Sequence, residues 1–582
     1  MSLDEASAVE AAGPEPEPEP AAAEPGPRPS GGRAARRQAQ ARRPRGRKPP
    51  EEEAASTPAP EPPEDPAPQG PPHPSGGPLA SAALFLLPAA VTLVLCLNQI
   101  GRRQVWRDEH ASWWASTLSL TDLSKLIHNV DIVLLPYYLF LHVWIDVFGD
   151  SATALRLPSA IAMALAAGLL ALLGRRLFTP AVGLLAGLLM AAVPSVTRYG
   201  QEARPYAFAV LITVVSTLLL VRALDRRSLK AWTAYTVTVP LLGWTHLVTL
   251  CLLAGHLAAV LTGTRRADRV PRWAFTAAVA TGGSLTVPMA LQGSTQSAQV
   301  AWNKTGLADL KAYPDTLFLS WHLGLGLMAV GLLGLLAARR HAALLAGWTL
   351  LPPLATFATA SWLHLFLNRY LLFTVPGWAL LAAAAVCRVA APVARGSRVA
   401  LPRAVLCWLL AGAAAAGVGW TARPEIGATH RDLVGEPDYD QLTRIMLGDQ
   451  RPGDGIVYSS TVMARMSMAY ELRHVQTAPR DILLQRSAAG LGLYSAEECD
   501  DPDACAANTN RIWLVATGTG ADPYAALPPQ TAELLRTQFQ ATRTDVLAQV
   551  RLLLLERVHP SRRASAADDL GNHNVQMAPG TS

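Results

Sequence analysis

Charged residues are scarce in this sequence of 582 residues, in which only 16% of the side chains are charged and 50% are hydrophobic. A soluble domain carries about 25% charged residues, so the deficit indicates that lipid is the solvent for much of the chain. Cysteine is scarce as well, and six cysteines are too few for a fold built on disulfides. No group of His and Cys has the spacing of a zinc site. A purely cytosolic enzyme and a disulfide scaffold are therefore disfavoured.

Large aliphatic and aromatic residues are almost absent from residues 1–78, which hold 20 of the 45 prolines. Such a segment cannot bury a core and is predicted to be a disordered, Pro/Glu/Arg-rich cytoplasmic tail. Its basic patch, residues 33–48, either touches anionic lipid headgroups or is simply solvated. The segment does not have the pattern of a cleavable signal peptide, so the first apolar run is expected to stay as an anchor.

Long apolar stretches recur between residues 79 and 420, each close to the length that spans hydrocarbon as a helix. They predict a polytopic all-α membrane domain with about eleven transmembrane helices. The predicted spans are 80–99, 154–173, 180–197, 204–223, 231–246, 247–263, 272–291, 317–337, 341–362, 368–387 and 402–420.

Arg and Lys collect in the short loops on one side of these spans, and this pattern orients a membrane protein with those loops inside. The basic loops are 174–176, 225–230, 265–272, 339–340 and 388–403. The net charge of +6 therefore reports membrane orientation, and no nucleic-acid partner is expected. We expect a multi-pass plasma-membrane protein with its amino terminus in the cytoplasm and a first extracytoplasmic loop at 100–153.

Residues 421–582 have ordinary polar content and short β-like runs, at residues 456–458 and 512–515. Helical patterns at 439–447 and 525–539 alternate with these runs, which predicts a C-terminal extracytoplasmic α/β domain. Cys499 and Cys505 lie in a polar loop of this domain. In an oxidising compartment they are a disulfide candidate, the alternative being two free thiols.

Acidic, basic and aromatic residues meet at the outside ends of several spans. Asp108 and Glu109 follow the first span, and Asp131 lies later in the same loop, between two amphipathic segments rich in Trp and Tyr. The runs 198–206 and 368–370 bring two arginine-containing segments to the same side. A solvated helix cap would account for the acidic pair alone. Together the segments suit an anionic lipid, with cations for its phosphate and carboxylates for hydroxyl groups.

The order of these motifs resembles the GT-C glycosyltransferases, over residues 80 to about 390. The resemblance rests on the acidic pair, Pro-Tyr-Tyr-Leu at 136–139, Arg-Leu-Pro-Ser at 156–159 and Gln-Glu-Ala-Arg-Pro-Tyr at 201–206. More narrowly, it is similar to the bacterial branch related to protein O-mannosyltransferases and lipid A aminoarabinose transferases. The outside tail resembles that of actinobacterial mannosyltransferases.

The resemblance implies a transferase that moves a sugar from a polyprenyl-phosphate donor to an acceptor at the outer membrane face. It implies that Asp108 is the catalytic carboxylate and that Glu109 completes the acidic pair. Many relatives have His-Pro-Pro before the Tyr-Tyr pair, where this chain has 131–136, so the role of Asp131 is open. Mannose is the default sugar, with arabinose or another pentose next, and the acceptor is a protein, a glycan or a glycolipid.

Displacement of a polyprenyl phosphate needs a base near the acceptor hydroxyl and positive charge near the departing phosphate. Asp108 fits the first task, and Arg204 and Arg369 fit the second. A single displacement inverts the anomeric centre, and we favour inversion. Glu202 is expected to hold sugar hydroxyls or a divalent cation, the only cofactor considered. The predicted substrate-binding residues are Asp131, Tyr137, Tyr138, Gln201, Glu202, Arg204, Tyr206, Arg369 and Tyr370.

A transporter or flippase of a lipid-linked or anionic substrate is the alternative, since it also needs many spans and buried charges. It predicts charges near the middle of the helices and interrupted segments in matching halves of the chain. The charges here gather at the outside ends instead.

Overall fold

The structure, a computed structural model, describes residues 78–263, 270–396, 403–460 and 462–558. The predicted N-terminal tail and its basic patch lie outside the described residues, except for Pro78. So do most of the basic loop 265–272, the middle of the basic loop 388–403 and the end of the chain after residue 558.

The first region, up to residue 421, is helical. Its α-helices are α1 (Pro78–Leu97), α2 (Arg107–Thr117), α3 (Leu120–Asn129), α4 (Leu135–Phe148), α5 (Ala152–Leu177), α6 (Pro180–Ala192), α7 (Pro194–Gly200), α8 (Tyr206–Arg226), α9 (Leu229–Thr245), α10 (Leu252–Gly263), α11 (Val270–Ser284), α12 (Val287–Thr295), α13 (Leu307–Phe318), α14 (Trp321–Ala338), α15 (Ala342–Thr349), α16 (Leu351–Ala358), α17 (Ala360–Leu363), α18 (Val375–Gly396) and α19 (Arg403–Thr421). Short 3₁₀ segments connect them at Ile132–Leu134, Leu247–Cys251, Ser297–Val300, Arg339–His341 and Asn368–Thr374.

Helices long and apolar enough to cross a membrane are fewer than predicted. In the described chain they number five: Pro78–Leu97, Ala152–Leu177, Tyr206–Arg226, Trp321–Ala358 and Asn368–Ala390. The pairs α6–α7 and α11–α12 bend by 66° and 48° and raise the number to seven if each pair is one span. The prediction of about eleven spans is therefore not confirmed.

Two of the predicted spans, 231–246 and 247–263, form shorter helices. Their helices α9 and α10 have 17 and 12 residues. The break falls at His246, whose side chain accepts a hydrogen bond from the N–H of Val248 and caps the 3₁₀ segment that follows α9. Neither helix alone reaches the roughly 20 residues that cross a bilayer without help from its neighbours.

Helix α5 lies at the centre of the membrane region and packs against α1, α6 and α8. Small residues allow the closest of these contacts: a Cβ added to Gly183 on α6 would lie 2.2 Å from the carbonyl oxygen of Ala171 on α5. Helix packing of this kind, in which glycine lets two backbones approach, is typical of membrane bundles. The packing fixes α5, and with it Arg156, near one end of the bundle.

The second region forms an α/β domain. Its helices are α20 (Arg423–Ala428), α21 (Tyr439–Asp449), α22 (Met463–Leu472), α23 (Ala488–Leu491), α24 (Pro502–Ala506) and α25 (Pro529–Gln538). Its strands are β1 (Gly455–Tyr458), β2 (Arg480–Asp481), β3 (Leu484–Arg486), β4 (Glu497–Glu498), β5 (Arg511–Thr517), β6 (Phe539–Leu547) and β7 (Val550–Arg557). The strand runs predicted at 456–458 and 512–515 are thus confirmed as parts of β1 and β5. The helix predicted at 525–539 begins later, since Pro529 occupies the first turn of α25.

Five strands form a mixed sheet in the order β2-β1-β5-β7-β6. The central strand β5 pairs in parallel with β1 and antiparallel with β7. Trp513 on β5 is fully buried, and its indole Nε1 donates to Asp454 Oδ2 at 2.9 Å. Cys499 and Cys505 form a disulfide, as the sequence predicts.

The α/β domain packs directly on the loop between α1 and α5, because α22 contacts α2 and α23 contacts α3. At this junction the buried His110 of α2 lies with its Nδ1 3.0 Å from Ser467 Oγ of α22. Burial lowers the pKa of His110 to about 3, so the imidazole is neutral there. The α/β domain therefore fixes the position of α2, the helix that carries the acidic pair.

Candidate active site at the end of the helix bundle

Helix α2 presents the acidic pair in its first turn. Glu109 Oε2 accepts a hydrogen bond from the backbone N–H of Trp106 at 3.4 Å, which is half of a capping box and defines where the helix begins. Adjacent residues on a helix project about 100° apart. Asp108 and Glu109 consequently face different surroundings, and the two carboxylates differ in exposure, 22% for Asp108 and 1% for Glu109.

Asp108 meets two guanidiniums from distant segments. Its Oδ2 lies 3.2 Å from Nη1 of Arg369, in the 3₁₀ segment before α18. Arg204, in the loop between α7 and α8, donates from Nη1 to the carbonyl oxygen of Asp108 at 3.5 Å and to Ser112 Oγ at 3.2 Å. We call Asp108, Arg204 and Arg369 the Asp108 cluster.

Aromatic rings surround the two arginines of this cluster. The Arg204 guanidinium lies 5.8 Å from the Tyr206 ring, and the Arg369 guanidinium lies 5.8 Å from the Tyr370 ring. The Tyr206 and Tyr370 rings are 6.2 Å apart. Rings at these distances attract the cations without neutralising them. The aromatic contacts therefore leave both arginines positively charged, and Arg369 shares its charge with Asp108.

Glu109 belongs to a buried cluster instead. Arg156 of α5 donates from Nε to Glu109 Oε1 at 2.8 Å and from Nη2 to Oε2 at 2.6 Å. The N–H of Ala203 adds a third hydrogen bond at 2.9 Å. Burial alone raises the pKa of Glu109, but the charge and hydrogen bonds of Arg156 outweigh it and bring the pKa down to about 2. We call Glu109, Arg156 and Ala203 the Glu109 cluster.

In this structure the carboxylate of Glu109 is engaged by protein donors, so its predicted catalytic role stays a prediction. Its oxygens are occupied by Arg156, Ala203 and Trp106, and 1% of the side chain is exposed. The remaining donors of Arg156 are bound to the carbonyl oxygens of Ile100, Arg103 and Gln104. The Glu109 cluster thus ties the start of α2 to α5 and to the loop before α8.

Gln201 is hydrogen-bonded within the protein in this structure, and its predicted contact with the substrate stays a prediction. Its Nε2 donates to the carbonyl oxygens of Cys96 at 2.9 Å and Asn98 at 2.7 Å, and its Oε1 lies 3.1 Å from His430 Nδ1. All of its side-chain polar atoms are satisfied by the protein, and only 2% of the residue is exposed.

Glu202 is fully buried and forms an ion pair with Arg198, one turn earlier in the chain. Burial raises the pKa of Glu202, an effect that the positive charge of Arg198 opposes. Its second oxygen, Oε1, is buried and has no hydrogen-bond partner. A buried carboxylate oxygen without a donor is rare and costly, which marks this position as one where a ligand donor would be stabilising.

Asp131 joins the α/β domain to the loop between α1 and α5. Its Oδ2 accepts hydrogen bonds from the hydroxyls of Tyr138 at 2.9 Å and Tyr494 at 2.7 Å, and these two hydroxyls lie 2.9 Å apart. Asp131 has φ 57°, a left-handed conformation that Asp tolerates better than most residues. Tyr137 points elsewhere: its hydroxyl is buried without a partner and its ring lies 6.0 Å from that of Phe208.

No group of three or more His, Cys, Asp and Glu side chains that could hold a metal ion is present in the described part of the chain. Asp108 and Glu202 are each held by an arginine. The divalent cation considered from the sequence stays a prediction.

The sequence does not predict two residues that hold the site together, Arg156 and Tyr494. Arg156 belongs to the Arg-Leu-Pro-Ser motif, and an arginine inside an apolar span is itself a signal of a buried partner. Tyr494 lies in a polar loop of the α/β domain, and its contact with Asp131 spans 363 residues. No local sequence pattern predicts a contact between residues so far apart in the chain.

Residues 135–290 match the family described as Dolichyl-phosphate-mannose-protein mannosyltransferase. A comparison with curated proteins finds no match. Among solved structures, ArnT from Cupriavidus metallidurans in the apo state is similar with a TM-score of 0.52 and 15% identity, covering 82% of this chain and 98% of ArnT. The oligosaccharyltransferase of Archaeoglobus fulgidus in its apo form is similar with a TM-score of 0.46 and 13% identity, covering 75% of this chain and 69% of that protein. The similarity to ArnT confirms the fold that the sequence resemblance implies: the chain has the GT-C fold.

Proposed function

We propose that this protein transfers a sugar from a polyprenyl-phosphate donor to an acceptor at the membrane surface, with Asp108 as the general base. The observation that carries the proposal is the 3.2 Å contact between Asp108 Oδ2 and Arg369 Nη1. It brings a partly exposed carboxylate next to a partly exposed guanidinium at one end of a helix bundle. Transfer from a lipid phosphate needs both groups.

In the proposed step, Asp108 accepts the proton of an acceptor hydroxyl. The hydroxyl oxygen forms a bond to the anomeric carbon while the bond between that carbon and the phosphate oxygen breaks. The electron pair of the broken bond leaves with the phosphate, and the anomeric centre is inverted because the displacement occurs once.

Arg369 and Arg204 bind the phosphate in this proposal. A guanidinium donates two parallel hydrogen bonds to phosphate oxygens and keeps its charge at any physiological pH. Before the donor binds, Arg369 is paired with Asp108. A donor phosphate competes for Arg369, and the Asp108 carboxylate is then available to the acceptor hydroxyl.

The other predicted residues divide between sugar binding and support. Glu202, with its partnerless Oε1, and Asp131, with two tyrosine hydroxyls, are proposed to act on sugar or acceptor hydroxyl groups. Tyr206 and Tyr370 flank the phosphate-binding arginines. Glu109 and Gln201 are proposed to position the loops that carry Asp108 and Arg204.

The finer assignments follow the resemblance. Mannose is the proposed sugar, and the acceptor is a protein, a glycan or a glycolipid. The basic loops between spans favour a cytoplasmic amino terminus and an extracytoplasmic α/β domain. The site and the α/β domain would then face the outside of a plasma membrane.

The experiment is to incubate the purified full-length protein in proteoliposomes with a panel of polyprenyl-phosphate sugars and to follow donor consumption by mass spectrometry. We expect one donor, the mannosyl lipid, to be consumed and to yield free polyprenyl phosphate. NMR of the product is expected to show an inverted anomeric configuration. Movement of intact donor between leaflets without cleavage would contradict the proposal and favour the transporter alternative.

A further inference from the structure

A groove of about 770 Å³ lies at the same end of the bundle as the active site, between the turn that follows α1 and the helix α20. Arg102 comes from the turn, Arg423 from the start of α20, and Arg431 from the segment that follows α20. Its apolar lining includes Leu95 and Ile426. The groove therefore combines a cluster of cations with a hydrocarbon surface.

Among the described residues, the protein offsets the positive charge of this groove only in part. There Arg102 donates only to the uncharged Gln99 Oε1, at 3.1 Å, Arg423 stacks on the Trp420 ring at 5.6 Å, and the Arg431 guanidinium has no hydrogen bond or ion pair. Asp432, the carboxylate in the lining, accepts a hydrogen bond from the backbone N–H of Gln104 and offsets one of the three positive charges. The lining keeps an excess of positive charge.

Exposed arginines of the α/β domain are of two kinds. Arg444, Arg486 and Arg536 form ion pairs with an Asp or Glu, whereas Arg451 and Arg480 form none among the described residues. Three guanidiniums lining one groove repel one another, so an anion bound there lowers the free energy. Their convergence on one groove, and not the lack of ion pairs alone, indicates that the groove is charged for a ligand.

Apolar side chains lead from the helix bundle to this groove. Val91, Val94 and Leu97 on α1 are 36%, 67% and 39% exposed, and their spacing of three residues keeps them on neighbouring turns of one face. Trp420, at the end of α19, is 73% exposed beside Arg423. Tryptophan and arginine at the end of a span are typical of the boundary between hydrocarbon and headgroups. The groove thus opens where lipid headgroups lie.

We propose that this groove binds an anionic phospholipid of the leaflet on the α/β-domain side, with its phosphate among Arg102, Arg423 and Arg431 and its acyl chain along α1. Lipid phosphate is chosen over a soluble anion because the apolar face of α1 continues into the groove. The site is distinct from the Asp108 cluster. The two are connected through His430, which lines the groove and contacts Gln201 in the loop that also carries Arg204.

The test uses the purified full-length protein in detergent, titrated with phosphatidylglycerol or with phosphatidylcholine and observed by native mass spectrometry. We expect the wild-type protein to retain phosphatidylglycerol preferentially. Each arginine near a membrane surface contributes about fivefold to the binding of an anionic lipid. The triple variant R102Q/R423Q/R431Q is therefore expected to bind phosphatidylglycerol about 100-fold more weakly.

The matched control is R444Q/R486Q/R536Q, which removes the same charge from the same side and is expected to bind the lipid as the wild type does. Should the first triple variant fail to fold, Arg431→Gln alone serves, because the Arg431 side chain has no hydrogen bond or ion pair to lose within the described part of the chain. Equal retention of phosphatidylglycerol by the wild type, by R102Q/R423Q/R431Q and by Arg431→Gln would overturn the proposal. Competition by inorganic phosphate as effective as that by lipid would overturn it too, by indicating a soluble ligand.

A third measurement, of polyprenyl-phosphate binding, distinguishes this groove from the proposed catalytic site. The triple variant R102Q/R423Q/R431Q is expected to bind polyprenyl phosphate as the wild type does. Loss of polyprenyl-phosphate binding in that variant would overturn the claim of a separate site and would assign the groove to the donor. Transferase activity does not enter these measurements, so failure of the proposed reaction would leave them interpretable.

Discussion

Asp108 and Glu109 are neighbours in the sequence, yet they belong to clusters with opposite properties. The Asp108 cluster combines a carboxylate that is 22% exposed with a guanidinium that is 20% exposed. The Glu109 cluster combines a carboxylate and a guanidinium that are 1% and 0% exposed and have multiple hydrogen bonds. A buried ion pair of this kind fixes geometry, whereas a partly exposed pair can exchange its partner for a substrate. A rotation of about 100° around α2 therefore separates the supporting carboxylate from the one proposed to act in the chemistry.

The largest expected effect is on the stability contributed by the Glu109 cluster. Arg156→Met leaves a buried carboxylate without its partner and is expected to lower the free energy of unfolding by about 3–5 kcal/mol. Thermal unfolding of the purified protein in detergent measures this loss of stability. The matched change in the other cluster, Arg369→Met, is expected to cost less than about 1 kcal/mol, as for exposed pairs. Equal losses of stability in Arg156→Met and Arg369→Met would contradict the distinction between the two clusters.

Acid is expected to weaken the Glu109 cluster in a defined pH window. The folded-state pKa of Glu109 is depressed from 4.5 to about 2, so its contribution is complete above pH 4.5 and is lost as the pH falls through about 2. The shift corresponds to about 3 kcal/mol. Unfolding measured between these pH values should show this loss in the wild type and not in Arg156→Met. The same acid dependence in both proteins would contradict the assignment.

Arg369→Lys tests the phosphate-binding half of the Asp108 cluster. Lysine keeps the charge but loses the paired donors of the guanidinium, and we expect transfer to fall about 10- to 100-fold. Steady-state rates with the lipid-linked donor measure the change. Arg107→Lys is the control, since Arg107 is 61% exposed and pairs with Glu436. A variant at position 369 as active as this control would exclude phosphate binding by Arg369.

The smallest expected effect concerns the contact between the α/β domain and Asp131. Tyr494→Phe removes one of two hydroxyl donors to Asp131, because Tyr138 remains, and is expected to cost about 1 kcal/mol of stability. Tyr458→Phe is the control, because no side-chain hydrogen bond of Tyr458 is present in the described chain. A loss several times larger would mean that this contact is essential to the docking of the domain.

Much of this organisation is predictable from local patterns. The apolar runs indicate the membrane region, and β1 and β5 follow from the short β-like runs at 456–458 and 512–515. The two loop cysteines form their disulfide. The convergence of Asp108, Arg204 and Arg369 at one surface follows from charges at the ends of spans on one side.

The features that the sequence did not predict depend on the direction in which a helix or side chain points, and on contacts between residues far apart in the chain. Hydropathy does not reveal that the span predicted at 180–197 bends by 66° between α6 and α7. Nor does it say which of two adjacent carboxylates faces inward, since that depends on how α2 packs against α4 and α22 and on the ion pair of Glu109 with Arg156. The pairing of Asp131 with Tyr494 joins segments 363 residues apart and arises only from tertiary packing.

The most direct test compares Asp108→Asn with Asp146→Asn, a control on α4 outside both clusters, for sugar transfer and for thermal unfolding. We expect Asp108→Asn to keep the unfolding temperature of the wild type and to lower transfer by about 10²- to 10⁴-fold, the contribution of a general base. Asp146→Asn should retain both properties. Wild-type turnover in Asp108→Asn would contradict the account, because the site would then work without its proposed base.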